Sequence, residues 1–88
     1  MRIRVTVRDI RKADKARDWV DDITRYCPVA QALKRTFKTN SAWWAFEGGK
    51  VGRQRWRSAT PDKTGDFVHR WSFGDDVKPF SFDLVKGA

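Results

Sequence analysis

Hydrophobic and polar residues alternate strictly from Met1 to Arg8, with Ile3, Val5 and Val7 on one side and Arg2, Arg4, Thr6 and Arg8 on the other. That two-residue period belongs to a half-buried strand. From Ala13 the period lengthens: Ala13, Ala16, Trp19, Val20 and Ile23 recur at three and four, opposite Asp18, Asp21 and Asp22, and predict an amphipathic helix. Pro28 then opens a second helix whose apolar positions are Val29, Ala30, Leu33 and Phe37. Lys34, Arg35 and Lys38 crowd its C-terminal end, where positive charge complements the helix dipole. The aromatic run from Ala42 to Phe46 and the segment from Val51 to Ser58 read as two arms of a hairpin turning at Glu47-Gly48-Gly49-Lys50. Along the second arm Gly52, Gln54, Trp56 and Ser58 fall on one face and Arg53, Arg55 and Arg57 on the other.

Thr60-Pro61-Asp62 signals a third helix, with a capping hydroxyl, a proline in the first turn and an acid beside it. Phe67, Val68 and Trp71 form its buried stripe, Asp66 and Arg70 are spaced for an i,i+4 ion pair, and Gly74 is its stop. A closing strand from Val77 to Val85 turns Phe80, Phe82 and Leu84 inward. The order β-α-α-β-β-α-β predicts a small α+β domain over residues 1–88, in which one mostly antiparallel four-stranded sheet carries two or three helices on one face.

Composition narrows the class. Eighty-eight residues are too few for two cores, which excludes a multidomain enzyme. Cys27 alone cannot form an internal disulfide, and with the single His69 it cannot complete a zinc site. No cofactor or metal is expected. The N-terminal alternation lacks the apolar run of a secretion signal and no stretch is long and apolar enough to span a bilayer, so a cytoplasmic location is expected. The net charge of +8 is unevenly spread: residues 1–57 carry fifteen basic and six acidic side chains, whereas residues 58–88 carry four and five. Any electrostatic face is therefore built from the first two thirds.

Two segments carry a resemblance. Cys27-Pro28-Val29-Ala30-Gln31-Ala32-Leu33 resembles the C-P-[VI]-A-x-A-[LI] segment of a family of small uncharacterised proteins from tailed-phage and prophage genomes. The stretch Phe67-Val68-x-x-Trp71-x-x-Gly74-x-x-Val77-x-Pro79-Phe80-x-Phe82-x-Leu84 resembles the same family's closing pattern, with Ser72 where that family usually has Asp. The Trp- and Arg-rich centre lies outside the pattern. The resemblance implies a phage or prophage accessory protein acting in the host-cell cytoplasm, and it carries no catalytic residues. Such families include nucleic-acid binders and inhibitors of defence systems.

The centre holds the candidate chemistry. Between Lys34 and Arg57 lie seven basic residues, one acid and three tryptophans. Cations attract phosphates, and indole faces stack on bases. Arg53, Arg55 and Arg57 are expected to project from one side of a strand at about 7 Å intervals, a track for phosphates. Trp43 and Trp44 point to opposite faces, so one of them is expected to be exposed. Arg2, Arg4 and Arg8 form a second row; joined with Lys50 and the tryptophans, the two rows make the open sheet face the expected binding surface. The other reading is a solvated polar face of the kind antiparallel sheets commonly have.

Cys27 is expected to pack and cap a helix rather than act as a nucleophile, and Gly48-Gly49-Lys50 fails the phosphate-loop pattern. His69 lacks a recognised catalytic partner and the acidic run Asp14, Asp18, Asp21 and Asp22 reads as a solvated helix face. The expected function is thus non-enzymatic binding of an anionic ligand, nucleic acid first and a nucleotide signal as a narrower variant. Two alternatives stay open: an inhibitor that binds a host or anti-phage defence complex, as anti-CRISPR proteins do, and a virion component.

Overall fold

The computed structural model describes residues 1–87. Its strands are β1 (Arg2–Val5), β2 (Ala42–Ala45), β3 (Gly48–Val51), β4 (Gln54–Ser58) and β5 (Phe80–Lys86), and its helices α1 (Val7–Arg17), α2 (Pro28–Phe37) and α3 (Pro61–Ser72). The fold is α+β, as the pattern predicts, with five strands instead of four in the order β1-β5-β4-β3-β2. Every neighbouring pair is antiparallel.

The buried face of the sheet follows from the pleat. Ile3 and Val5, Ala42 and Trp44, and Phe82 and Leu84 alternate inward and meet Val29, Ala30 and Leu33 of α2 and Phe67, Val68 and Trp71 of α3 in one core. Helix α2 touches β1 at one edge and β2 at the other, so the sheet curls around it, and α1 packs on α2 as an outer layer.

The first strand is shorter than its alternation suggests. It stops at Val5 because Thr6 caps α1: the Thr6 Oγ1 accepts the Asp9 N–H at 3.3 Å, while the Asp9 carboxylate accepts the Thr6 N–H at 2.9 Å. Arg35 of α2 closes this knot, donating to both Asp9 oxygens at 3.3 and 2.9 Å and to the Arg4 carbonyl at 2.8 Å. Val7 is therefore an exposed helical residue, not the third member of the inward row. Helix α1 begins six residues before Ala13 and ends at Arg17, leaving Trp19 in a loop with 87% of its surface exposed and Ile23 in a short 3-10 turn (Ile23–Arg25).

The hairpin also differs. Gly48-Gly49-Lys50 is not the turn but part of β3, which pairs with both β2 and β4. The chain reverses instead at Phe46-Glu47, with Phe46 in the left-handed region at φ 54, and again at Gly52-Arg53, where Gly52 takes φ 58. Gly49 is required by the pairing itself, since a Cβ there would lie 2.0 Å from the Trp43 carbonyl oxygen. Helix α3 starts at Pro61 as expected, but the Thr60 hydroxyl makes no cap bond; the Ser58 hydroxyl accepts the Thr60 N–H at 3.0 Å instead. Strand β5 begins at Phe80, leaving Val77 half-buried in the preceding loop.

Two substitutions test this account. Asp9→Ala leaves a guanidinium and a backbone N–H without their acceptor and is expected to destabilise the domain by about 2–3 kcal/mol in chemical unfolding. Gly49→Ala is expected to lose the β2–β3 pairing, read as loss of protection of the β2 and β3 amides in hydrogen exchange, whereas Gly65→Ala, whose added methyl would meet only the flexible Glu47 side chain at 3.6 Å, is expected to retain it.

Candidate functional site

The register decides which side chains share the uncovered face of the sheet. Trp43, Lys50 and Arg55 lie in one line across β2, β3 and β4, because Trp43 pairs with Lys50 and Lys50 with Arg55. The next line is Ala45, Gly48, Arg57 and Val85. Further along β5, Asp83 pairs with Arg2 and Ser81 with Arg4. Six expected residues therefore share the face opposite the helices: Trp43, Lys50, Arg55 and Arg57 as neighbours on β2, β3 and β4, and Arg2 and Arg4 on the far edge strand β1. Strands about 4.8 Å apart and same-face residues about 7 Å apart make this a lattice of cations, not a single row.

The small residues Ala45 and Gly48 leave a low floor between Trp43, Lys50 and Arg57. Arg2 is paired with Asp83 at 3.3 Å, with both side chains more than half exposed. Among the described residues, the side chains of Arg4, Lys50, Arg55 and Arg57 have no acidic partner. Apart from the Arg2–Asp83 pair, the face thus carries cations that no acid neutralises.

Three expected members lie elsewhere. Trp44 is fully buried on the inner face, 5.5 Å from the Phe82 ring, and its Nε1 donates to the Phe46 carbonyl at 3.0 Å. Only one of two neighbouring strand residues can face outward, and Trp43, half-buried on the open face, is that one. Arg53 sits in the β3–β4 turn, so the expected three-arginine row reduces to Arg55 and Arg57. Arg8 leaves the sheet altogether because the Thr6 cap places it in the first turn of α1.

There Arg8 lines a groove of about 1050 Å³ between α1 and α2, together with Arg11, Lys12 and Lys15 on one wall and Lys34, Arg35 and Lys38 on the other. Sequence reasoning took Lys34, Arg35 and Lys38 as complements of the helix dipole and missed the α1 half of this cluster, although its signal was present. Positions 8, 11, 12 and 15 follow i, i+3, i+4 and i+7, and so do 31, 34, 35 and 38.

Cys27 packs in the core. Its Sγ accepts the Ala30 N–H at 3.4 Å at the start of α2 and donates to the Trp44 carbonyl at 3.7 Å. Burial pushes this thiol up to about 11. His69 is exposed, its ring centroid 4.8 Å from that of Phe73. Among the described residues no three His, Cys, Asp or Glu side chains are grouped to hold a metal ion, and no helix is long and apolar enough to cross a membrane.

The raised thiol sets a pH dependence. Between the unfolded value near 9 and the folded value of about 11 the native state keeps a proton that the unfolded chain has released, so stability falls as pH rises through this window. Guanidinium unfolding is expected to show a steeper loss from pH 9 to 11 in the wild type than in Cys27→Ser, and a thiol-reactive disulfide reagent is expected to modify Cys27 only on unfolding. Compared with protein-family models, with curated proteins and with solved structures, the chain has no significant match in any of the three.

Proposed function

We propose that this chain is a phage or prophage accessory protein that binds a single-stranded nucleic acid across the open face of its curled sheet. The observation that carries the reading is the register that gathers Lys50, Arg55 and Arg57 beside Trp43 on the sheet face opposite the helices, with Arg4 on the same face at the far edge strand. The cations would contact phosphates and the Trp43 indole would stack on a base, the two components of binding to unpaired strands. The phage origin rests on the resemblance of the Cys27–Leu33 and Phe67–Leu84 segments.

An inhibitor that docks on a host or defence protein is the second reading. It is favoured by Trp19 and Phe73, exposed by 87% and 74%, which follow the ends of α1 and α3. Those ends are joined by a 2.7 Å hydrogen bond from Arg17 to the Trp71 carbonyl, so the two aromatics leave one corner of the domain. Exposed aromatics of this size are the usual anchors of protein interfaces.

Titration of a labelled oligothymidylate at several salt concentrations separates the two. Contacts to about four phosphates give a slope of about −3 in log affinity against log salt. Lys50→Thr/Arg55→Thr/Arg57→Thr is expected to weaken binding at least tenfold and flatten the slope by about 2, with the fold retained. Trp43→Ala is expected to lose about 1–3 kcal/mol with the slope unchanged. An oligonucleotide that binds the triple variant as it binds the wild type would remove the sheet face from consideration; no binding at low salt would leave the inhibitor reading in first place.

A further inference from the structure

The α1–α2 groove lies on the helical side of the domain, away from the open sheet face. The α1 wall presents a cationic stripe about two turns long and the α2 wall one of about one turn. Arg8, Arg11, Lys12 and Lys15 span about 10 Å along α1, and Lys34, Arg35 and Lys38 continue the field on α2. Lys12 lies near enough to Lys34 to act on its ammonium, and the exposed Arg8, Arg11 and Lys15 border the same groove from the solvent side of α1.

Like charges on facing helices are the opposite of what helix packing alone favours, because a pairing of opposite signs across the same gap would stabilise it. The one acid in the groove, Asp9, is already engaged by Thr6 and Arg35. Asp14, the next acid along α1, is turned away from it and accepts the Trp71 indole N–H at 2.8 Å. Among the described residues, Arg8, Arg11, Lys12, Lys15 and Lys38 have neither an ion-pair nor a side-chain hydrogen-bond partner. Burial, and after it the charge of Lys12, holds the Lys34 ammonium below its ordinary range. Lys34 is held by the Arg25 carbonyl and the Tyr26 ring, and Arg35 by Asp9, which leaves Arg8, Arg11, Lys12, Lys15 and Lys38 as the cations an anion would engage.

The chemistry of the lining selects among anions. Among the described residues no aromatic side chain borders the groove, so it offers bases nothing to stack on, and its uncharged members, Thr6, Gln31, Thr39 and Asn40, are hydrogen-bonding groups, of which Gln31 is already engaged with the Tyr26 carbonyl. The groove reads phosphate, not base. At about 1050 Å³ and open along its length, it is larger than a mononucleotide needs and lacks the apolar walls that would enclose one. A ligand with its bases already stacked inward and its phosphates outward suits it.

We propose that the α1–α2 groove is a second, sequence-blind site that takes the sugar–phosphate ridge of a nucleic-acid duplex. The two ligands would then be held on different sides of a body measuring 31 × 24 × 20 Å, an unpaired strand on the sheet and a duplex on the helices. The site shares no cationic side chain with the sheet face, so it stands independently of the reading given for that face.

The test uses the full chain, a labelled 24-base-pair DNA duplex and an oligothymidylate, each titrated at several salt concentrations, with ATP and tripolyphosphate as competitors. Arg8→Gln/Arg11→Gln/Lys12→Gln/Lys15→Gln keeps residues of high helix propensity and removes repulsion, so its thermal midpoint is expected to stay level or rise. Its duplex affinity is expected to fall at least tenfold and its salt slope to shrink by about 3.5, at about 0.9 per lost phosphate contact, with oligothymidylate binding unchanged. Lys38→Asn suits a position with φ 54 and tests the α2 wall without altering α1; a two- to threefold loss of duplex affinity is expected. Lys50→Thr/Arg55→Thr/Arg57→Thr is expected to show the reverse selectivity, so failure of the sheet reading appears as lost oligothymidylate binding in the wild type and leaves the duplex arm standing. Duplex binding that is the same in the groove variant and the wild type overturns the proposal, as does displacement of the duplex from the wild type by equimolar tripolyphosphate.

Discussion

The Asp9 carboxylate is the point on which the arrangement of both charged surfaces depends. It is 5% exposed and accepts hydrogen bonds from the Thr6 backbone, the Thr6 hydroxyl and the Arg35 guanidinium. A buried carboxylate is tolerated only when its charge and lone pairs are satisfied, and here three pieces of chain must meet to satisfy it: the end of β1, the first turn of α1 and the last turn of α2. That meeting ends the first strand at Val5. It also turns Arg8 away from the sheet and sets α1 beside α2 with their basic stripes bordering one groove. The Asp9 carboxylate in turn holds the Arg35 guanidinium above its ordinary value through the hydrogen bonds it accepts from it.

Much of the architecture was legible where local rules and tertiary packing agree. The inward positions Phe82 and Leu84, the proline starts of α2 and α3, the Asp66–Arg70 pair at 3.2 Å and the alternation of Arg55, Trp56 and Arg57 all follow from periods of two or 3.6. The same rule gave the division between Trp43 and Trp44, although not which of them faces out. What settles that is the pairing of Trp44 with Gly49, which leaves room for the buried indole next to a residue without a side chain.

The misread segments have in common that a distant contact overrides a local signal. Two adjacent glycines ordinarily mark a turn; here Gly49 is demanded by the close approach of the Trp43 backbone, which belongs to another strand. The apolar Val7 continues a strand-like alternation, and only the Thr6-x-x-Asp9 signature, completed by Arg35 from a helix 26 residues away, shows that the chain has already turned. Trp19 falls on an apolar period but has no neighbour to bury it, since α1 has ended two residues earlier. Starting the helix too late also hid the four-residue basic stripe, because a periodicity is visible only once the element that carries it is correctly bounded.

Both edges of the sheet turn onto α2, and this bears on how copies of the chain can assemble. Strands β1 and β2 are each four residues long, and on β1 the Arg4 carbonyl is already taken by Arg35. Short, curled and partly occupied edges give an incoming strand little to zip against, so sheet extension from one molecule to the next is disfavoured. Crowded copies, each carrying a net charge of +8, would then stand apart as separate bodies, their spacing set by charge and not by strand pairing.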